Sequence, residues 1–224
     1  MDVAIAILVL LFSLTVHESA HALAALRMGD DTASRMGRIT LNPLAHIDPI
    51  GTIVVPLVMA LLPGGIMFGW AKPVPVNTLR LRNPMRDHAV IAAAGPASNL
   101  VLAGVFAVLF GLLDGYAHAR LQSGIVDLGA AYTFLRLLTQ WGVLLNILLA
   151  LFNLIPLPPL DGSWIMMAAL KDELARSYAR LYPYGFLLVI VLMNVGLGRL
   201  LWRGVLYVSA WYLQISNLVS RIFV

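Results

Sequence analysis

The chain has 224 residues, of which 60% are hydrophobic and 12% charged, with a formal net charge of +4. Soluble domains run at about 45–50% apolar and about 25% charged, so this composition points to an integral membrane protein. There is no cysteine, which excludes disulfides and thiolate metal sites, and the basic residues sit in short connections between apolar runs, where membrane orientation explains them better than nucleic acid does.

Apolar runs occupy residues 3–26, 50–68, 89–113, 128–160, 181–197 and 204–219. Several meet the roughly 20 residues that a membrane-crossing helix needs. The first run has no basic start and a polar centre, unlike a cleaved signal peptide, and no run shows the alternation of a membrane barrel strand. The expected fold is all-α, a polytopic helical membrane protein. With no internal repeat and no loop long enough for a soluble unit, 1–224 reads as a single membrane domain.

Within the first run, "LTVHESAHALAAL" (14–26) sets His17, Glu18 and His21 among apolar residues. On a helix, positions i and i+4 share a face, so H-E-x-x-H lets both imidazoles bind one metal while Glu18 reaches a water beside it. Ionisable groups inside a bilayer are costly and mark function. His17 follows Val3 by fourteen residues, about 21 Å of helix in a hydrocarbon layer of roughly 30 Å.

Next, "RMGRITLN" (35–42) alternates β-branched and polar residues between Gly37 and Pro43, which predicts a short β element able to pair with an extended peptide. The run 50–68 contains Pro56, Pro63, Gly64 and Gly65, which suit a re-entrant segment better than a straight span. If every run spans, the fifteen Lys and Arg divide eight against seven between the two sides. If 50–68 re-enters, they divide eleven against four. The positive-inside bias then favours re-entry, with the amino terminus outside and the polar cluster nearer the cytoplasmic face. In "GWAKPVPVN", Trp70 and Lys72 suit interfacial anchors.

Catalytic zinc usually takes three protein ligands and a water, so two histidines leave a ligand to find. His46, His88 and His118 lie in or beside connections, and Asp114 and Asp127 flank a loop. Asp161, in "NLIPLPPLDG", follows an apolar run where Pro156, Pro158 and Pro159 break the helix. It reads either as a ligand or as the N-cap of the next segment. A Zn²⁺ with two neutral imidazoles, Asp161 and Glu18 is electrically neutral, which lowers the cost of burial.

These stretches, together with "GRITLNPLAHIDPIGT" (37–52), "FGWAKPVPVN" (68–77) and "AAGPASNL" (93–100), resemble the site-2 protease family of intramembrane zinc metalloproteases over about residues 1–170. The form is compact, without a PDZ-like insertion or CBS-like domain. The resemblance implies one zinc per chain held by His17, His21 and Asp161, with Glu18 as general base. It implies a three-helix catalytic core carrying the H-E-x-x-H, G-P-x-x-N and L-D-G elements, with accessory carboxy-terminal helices over 181–224. It also implies that Asn153 and Asn146 lie near the substrate, a transmembrane protein. Asn99 is read as part of a close helix contact with Gly95, Ala97 and Ser98. The implied activity is zinc-dependent cleavage of a peptide bond in or near a transmembrane segment, at the cell membrane. The competing readings are a transporter or channel with a structural zinc, which leaves Glu18 without a task, and an inactive relative of the protease.

Overall fold

The computed structural model describes residues 2–54, 70–124 and 127–223. Its α-helices are α1 (Asp2–Met28), α2 (Thr32–Arg35), α3 (Pro84–Gln122), α4 (Gly129–Asn153), α5 (Asp161–Ala169), α6 (Asp172–Ala179), α7 (Gly185–Leu192) and α8 (Gly198–Ser220). Four stretches are long and apolar enough to cross a membrane: α1, α3, α4 and Asp172–Ser220. The all-α expectation holds.

Helix α3 is the hub, packing against α1, α4, α5 and α8. At 39 residues it is about 58 Å long, nearly twice the hydrocarbon thickness, so its ends project beyond that layer. Its buried face is an i+4 ridge of mostly small residues: Ile91, Gly95, Asn99, Ala103, Ala107 and Gly111. Small side chains let backbones approach where water supplies no driving force between helices. At Gly111 the approach is so close that a Cβ would lie 2.9 Å from the Cα of Ser216 on α8.

Helix α1 buries its own i+4 ridge: Ile5, Val9, Ser13, His17, His21 and Ala25. The two histidines are thus on the helix's packing face rather than turned to lipid. The apolar centre of the bundle joins Ala103, Phe106 and Ala107 of α3, Val143 and Ile147 of α4, and Leu201 and Val205 of α8.

Residues 35–42 form no strand. Gly37, at φ 67°, turns the chain back after α2, and the N–H groups of Gly37 and Arg38 are taken by Ser34 and Ala33. The Thr40 carbonyl accepts from Ser19 Oγ at 2.6 Å and from His46 Nε2 at 3.0 Å, which pins the turn to α1. Local turn bonds win over the β-branched alternation that suggested a strand.

Most of the 50–68 segment lies outside the described residues, but its two ends do not. Trp70 N donates to Gly51 O at 3.1 Å, and Thr52 Oγ1 donates to Trp70 O at 2.8 Å. These two described ends thus lie side by side. From Trp70 the chain continues as a strap without helix or strand to Asn77, whose N–H donates to Asp30 Oδ2 at 2.6 Å.

The last two apolar runs meet at Gly196, whose φ of 142° breaks the helix between α7 and α8. Arg199 and Arg203 follow this break directly. Helix α8 is bound into the bundle through Tyr212 Oη on Leu100 O (2.9 Å) and Ser216 Oγ on Ala107 O (2.7 Å).

Candidate metal centre

Three elements distant in sequence bring His17, His21 and Asp161 together. Helix α1 supplies both imidazoles from one ridge. After α4 ends at Asn153, the proline-rich turn 154–160 folds the chain back so that α5 starts against them. Leu160 takes the N-cap position with extended backbone and Asp161 is the first helical residue, making no capping bond. Its carboxylate faces the histidines instead, with Oδ2 within 3.4 Å of both Nε2 atoms.

The nitrogen and oxygen atoms form a tight triangle. His17 Nε2 and His21 Nε2 are 3.0 Å apart, and Asp161 Oδ2 lies 3.2 Å from the first and 3.4 Å from the second. A tetrahedral zinc with ligands at about 2.0–2.1 Å sets them about 3.3 Å apart. Each imidazole donates its Nδ1–H elsewhere: His17 to Asn99 Oδ1 at 2.6 Å and His21 to the Ile91 carbonyl at 2.7 Å. With those protons on Nδ1, both Nε2 lone pairs point at the same place. Asp161 Oδ2 is buried there and accepts no hydrogen bond. Three acceptors converging without a donor fit a cation, and two imidazoles with one carboxylate are a donor set that catalytic zinc takes. Among the described residues this is the one group of three or more such side chains that comes within ligand range.

Helix α3 reads the pair with three successive ridge positions. Ile91 orients His21, Asn99 orients His17, and Gly95 between them has no side chain. A Cβ there would overlap His21 Nε2 and fall 2.5 Å from His21 Cε1 and 2.6 Å from His17 Cε1. The glycine of G-P-x-x-N therefore provides the space of the centre itself.

Asn99 is the residue that sequence reasoning placed in a packing role. Its Nδ2 donates to Asn146 Oδ1 at 2.8 Å, and Asn146 Nδ2 donates to Ser13 Oγ at 2.9 Å and Gly142 O at 2.7 Å. Ser13, Asn99 and Asn146 are all 0% exposed, so Asn146 lies behind the histidines, away from the cavity, with its amide hydrogens engaged. Asn153 differs. It lines the cavity, and one amide hydrogen goes to Leu149 O at 3.0 Å, while its oxygen has no partner among the described residues.

The cavity, about 560 Å³, is walled by α1, the strap 70–77, α3, the end of α4, α5 and α7, and includes His17, Glu18, His21 and Asp161. Glu18 is half-buried and makes no hydrogen bond or ion pair with a described group, so its carboxylate is available to a water or substrate. Trp70, expected as an interfacial anchor, stands in the cavity wall edge-on to Phe186 of α7, with ring centroids 6.1 Å apart. Of the remaining histidines, His46 is bound into the turn beside Ser19, His118 is exposed, and His88 lines the cavity.

The comparisons agree with this geometry. The model of peptidase family M50 matches residues 5–136 and 122–193. "Putative zinc metalloprotease YwhC" of Bacillus subtilis is 39% identical over 218 residues, covering 97% of this chain and 91% of that protein. "Putative zinc metalloprotease Rip2" of Mycolicibacterium smegmatis is 35% identical over 187 residues, covering 82% and 64%. The Rip2 of Mycobacterium tuberculosis is 29% identical over 212 residues, covering 95% and 74%. No solved structure matches the chain.

Proposed function

The chain belongs to peptidase family M50, and from that premise we propose that it is a zinc-dependent endopeptidase that hydrolyses a peptide bond in or near a transmembrane segment of a membrane-protein substrate. The observation that carries this reading is the convergence of His17 Nε2, His21 Nε2 and Asp161 Oδ2, beside an unpartnered Glu18, in a cavity among helices apolar enough to cross a bilayer.

His17, His21 and Asp161 hold the zinc, which when bound supplies a Lewis acid and lowers the pKa of water. Glu18, one residue from the first ligand and facing the same cavity, takes the proton of the attacking water and passes it to the departing amine. Asn99 fixes the tautomer and ring orientation of His17, as Ile91 does for His21. Asn153 offers its free amide oxygen to the substrate, while Asn146 acts only through Asn99.

A helical substrate hides its carbonyls in its own hydrogen bonds, so the cleaved segment must be extended first. The strap 70–77 runs along the cavity without helix, and Pro73 and Pro75 bias the residues before them to extended backbone. Among the described residues, the N–H groups of Val74 and Val76 have no acceptor, and Pro73 and Pro75 carry none. This edge, rather than residues 35–42, suits pairing with an unwound peptide. With the amino terminus outside the cell membrane, the centre sits nearer the cytoplasmic face.

The test compares purified wild type with Glu18→Gln for zinc content and for cleavage of a transmembrane test substrate. Equal zinc with cleavage lowered at least about a hundredfold is expected; undiminished cleavage by the variant would overturn the assignment. Asp161→Ala should release zinc, and full metal retention would remove it from the ligand set.

A further inference from the structure

The cavity has to receive a peptide whose main-chain groups have left their helix, and its walls offer few polar partners. Beyond Glu18, the three ligands and the indoles of Trp70 and Trp164, the polar side chains lining it among the described residues are Asn153 and His88. An unpaired amide in such surroundings is costly. Asn153 has a place in the proposed reaction, and His88 has none.

His88 lies on α3, one ridge position before Ile91 and Ala92 and two before Gly95. It shares the face that meets the histidines. Its ring is stacked on Trp164 of α5, with centroids 3.7 Å apart and planes 20° from parallel. Trp164 is one turn beyond Asp161, so the stack joins the same two helices that the centre joins. The imidazole is thereby held in one plane.

Its Nδ1 is buried and has no hydrogen-bond partner. A proton there would have no acceptor among the described residues, which favours the tautomer that carries it on Nε2, the ring's other nitrogen, in a residue that lines the cavity. The result is an oriented N–H donor in an otherwise apolar wall. Seven residues of helix separate His88 from Gly95, about 10 Å. An extended peptide covers that distance in about three residues.

We propose that His88 is a substrate-binding residue whose Nε2–H donates to a main-chain carbonyl of the unwound peptide, about three residues from the cleaved bond, on a platform made by Trp164. The proposal rests on the protease reading of the site and deepens it. At that distance from the centre the bond is formed in the bound ground state and kept in the transition state, so it contributes to KM rather than to kcat.

The experiment uses the zinc-loaded full chain in lipid nanodiscs, with a fluorophore-labelled single-span Leu/Ala peptide carrying a central Asn-Gly pair. His88→Phe keeps a ring against Trp164 and removes the donor; His88→Gln restores a donor without the ring. For His88→Phe, unchanged zinc, kcat within about twofold and KM raised about five- to tenfold are expected, with partial recovery in His88→Gln. Kd for the same peptide, measured in a Glu18→Gln background, should rise by a similar factor when His88→Phe is added. If wild type cleaves the peptide and His88→Phe changes neither KM nor Kd, the His88 assignment falls and the protease reading stands. If wild type never cleaves but Kd still depends on His88, the protease reading falls and His88 remains a peptide-binding group. Loss of zinc or of kcat alone in His88→Phe would make the residue a support of the centre and overturn the proposal.

Discussion

The side of the cavity that carries the histidines and the side that faces them are held together in different ways. Behind the histidines, α1, α3 and α4 meet through a chain of buried amides and a hydroxyl, Ser13 to Asn146 to Asn99 to His17, with bonds of 2.6–2.9 Å, and through Gly95 and Gly142, which leave room for the imidazoles and for the Phe106 ring. Across from them, the strap 70–77 is tied through its backbone, at Trp70, Lys72, Pro73 and Asn77. Arg38, itself buried, donates through Nη2 to the carbonyls of Lys72 and Pro73, and Lys72 N donates to His46 O at 2.8 Å. Helix α7 contributes Phe186, 41% exposed, against Trp70. A metal centre tolerates little displacement of its ligands, whereas a chamber that admits a peptide must leave room. The histidine wall is thus held by buried side-chain bonds between helices, and the facing wall by backbone bonds of the strap and a partly exposed ring contact.

Damage to the first wall should be felt in metal binding. Gly95→Ala is expected to have the largest effect: its methyl group would occupy the space between the imidazoles, so the purified variant should hold essentially no zinc by elemental analysis. Normal zinc content would show that this wall yields to an added methyl group. Asn99→Ala should weaken zinc about 10- to 100-fold in competition with a chelator, because His17 loses the acceptor that fixes its tautomer. Asn146→Leu should act in the same direction but less, and the pair Asn99→Ala/Asn146→Leu should cost less than the sum of the two, as expected for members of one network. Strict additivity would mean that the amides act separately.

Damage to the second wall should spare the metal. Arg38→Met removes the guanidinium that holds the strap, and an increase of about three- to tenfold in KM with full zinc is expected. A drop in zinc content would show that the strap supports the centre after all. The smallest effect concerns Asp30, at the end of the strap. Burial would raise its pKa, but hydrogen bonds from the Thr32 hydroxyl (2.5 Å), Asn77 N–H (2.6 Å) and Thr32 N–H (3.0 Å) outweigh it and hold the carboxyl below its ordinary value. A depressed folded pKa contributes stability above the unfolded value of about 3.9, lost as pH falls through the folded value. Asp30→Asn should thus lower Tm at pH 7 by no more than about 4 °C, with the difference narrowing below about pH 4. A gap independent of pH would point to packing rather than charge.

Much of the first wall is legible in the sequence because it is periodic. His17 and His21 fall on the i+4 row that runs from Ile5 to Ala25, and helix geometry alone decides that they share a face. The small residues from Gly95 to Gly111 likewise announce a close contact. The second wall has no such period. The alternation in 35–42 is outcompeted by turn bonds around Gly37, and the extended edge lies instead at 70–77, where the prolines exclude helix without saying what the strap faces.

By itself, then, the sequence determined that this is a helical membrane protein with a His-Glu-His cluster whose imidazoles share one helix face, and an acid 140 residues beyond His21. Tertiary structure alone decided that Asp161 turns to the histidines instead of capping, that Asn99 rather than Asn146 touches His17, that Gly95 makes the space, and that His88 lines the cavity. The physical reason is the range of the forces involved. Helical periodicity fixes which residues share a face within a few turns. Which faces meet, and which polar atoms then lack a partner, is settled only when helices tens of residues apart pack together.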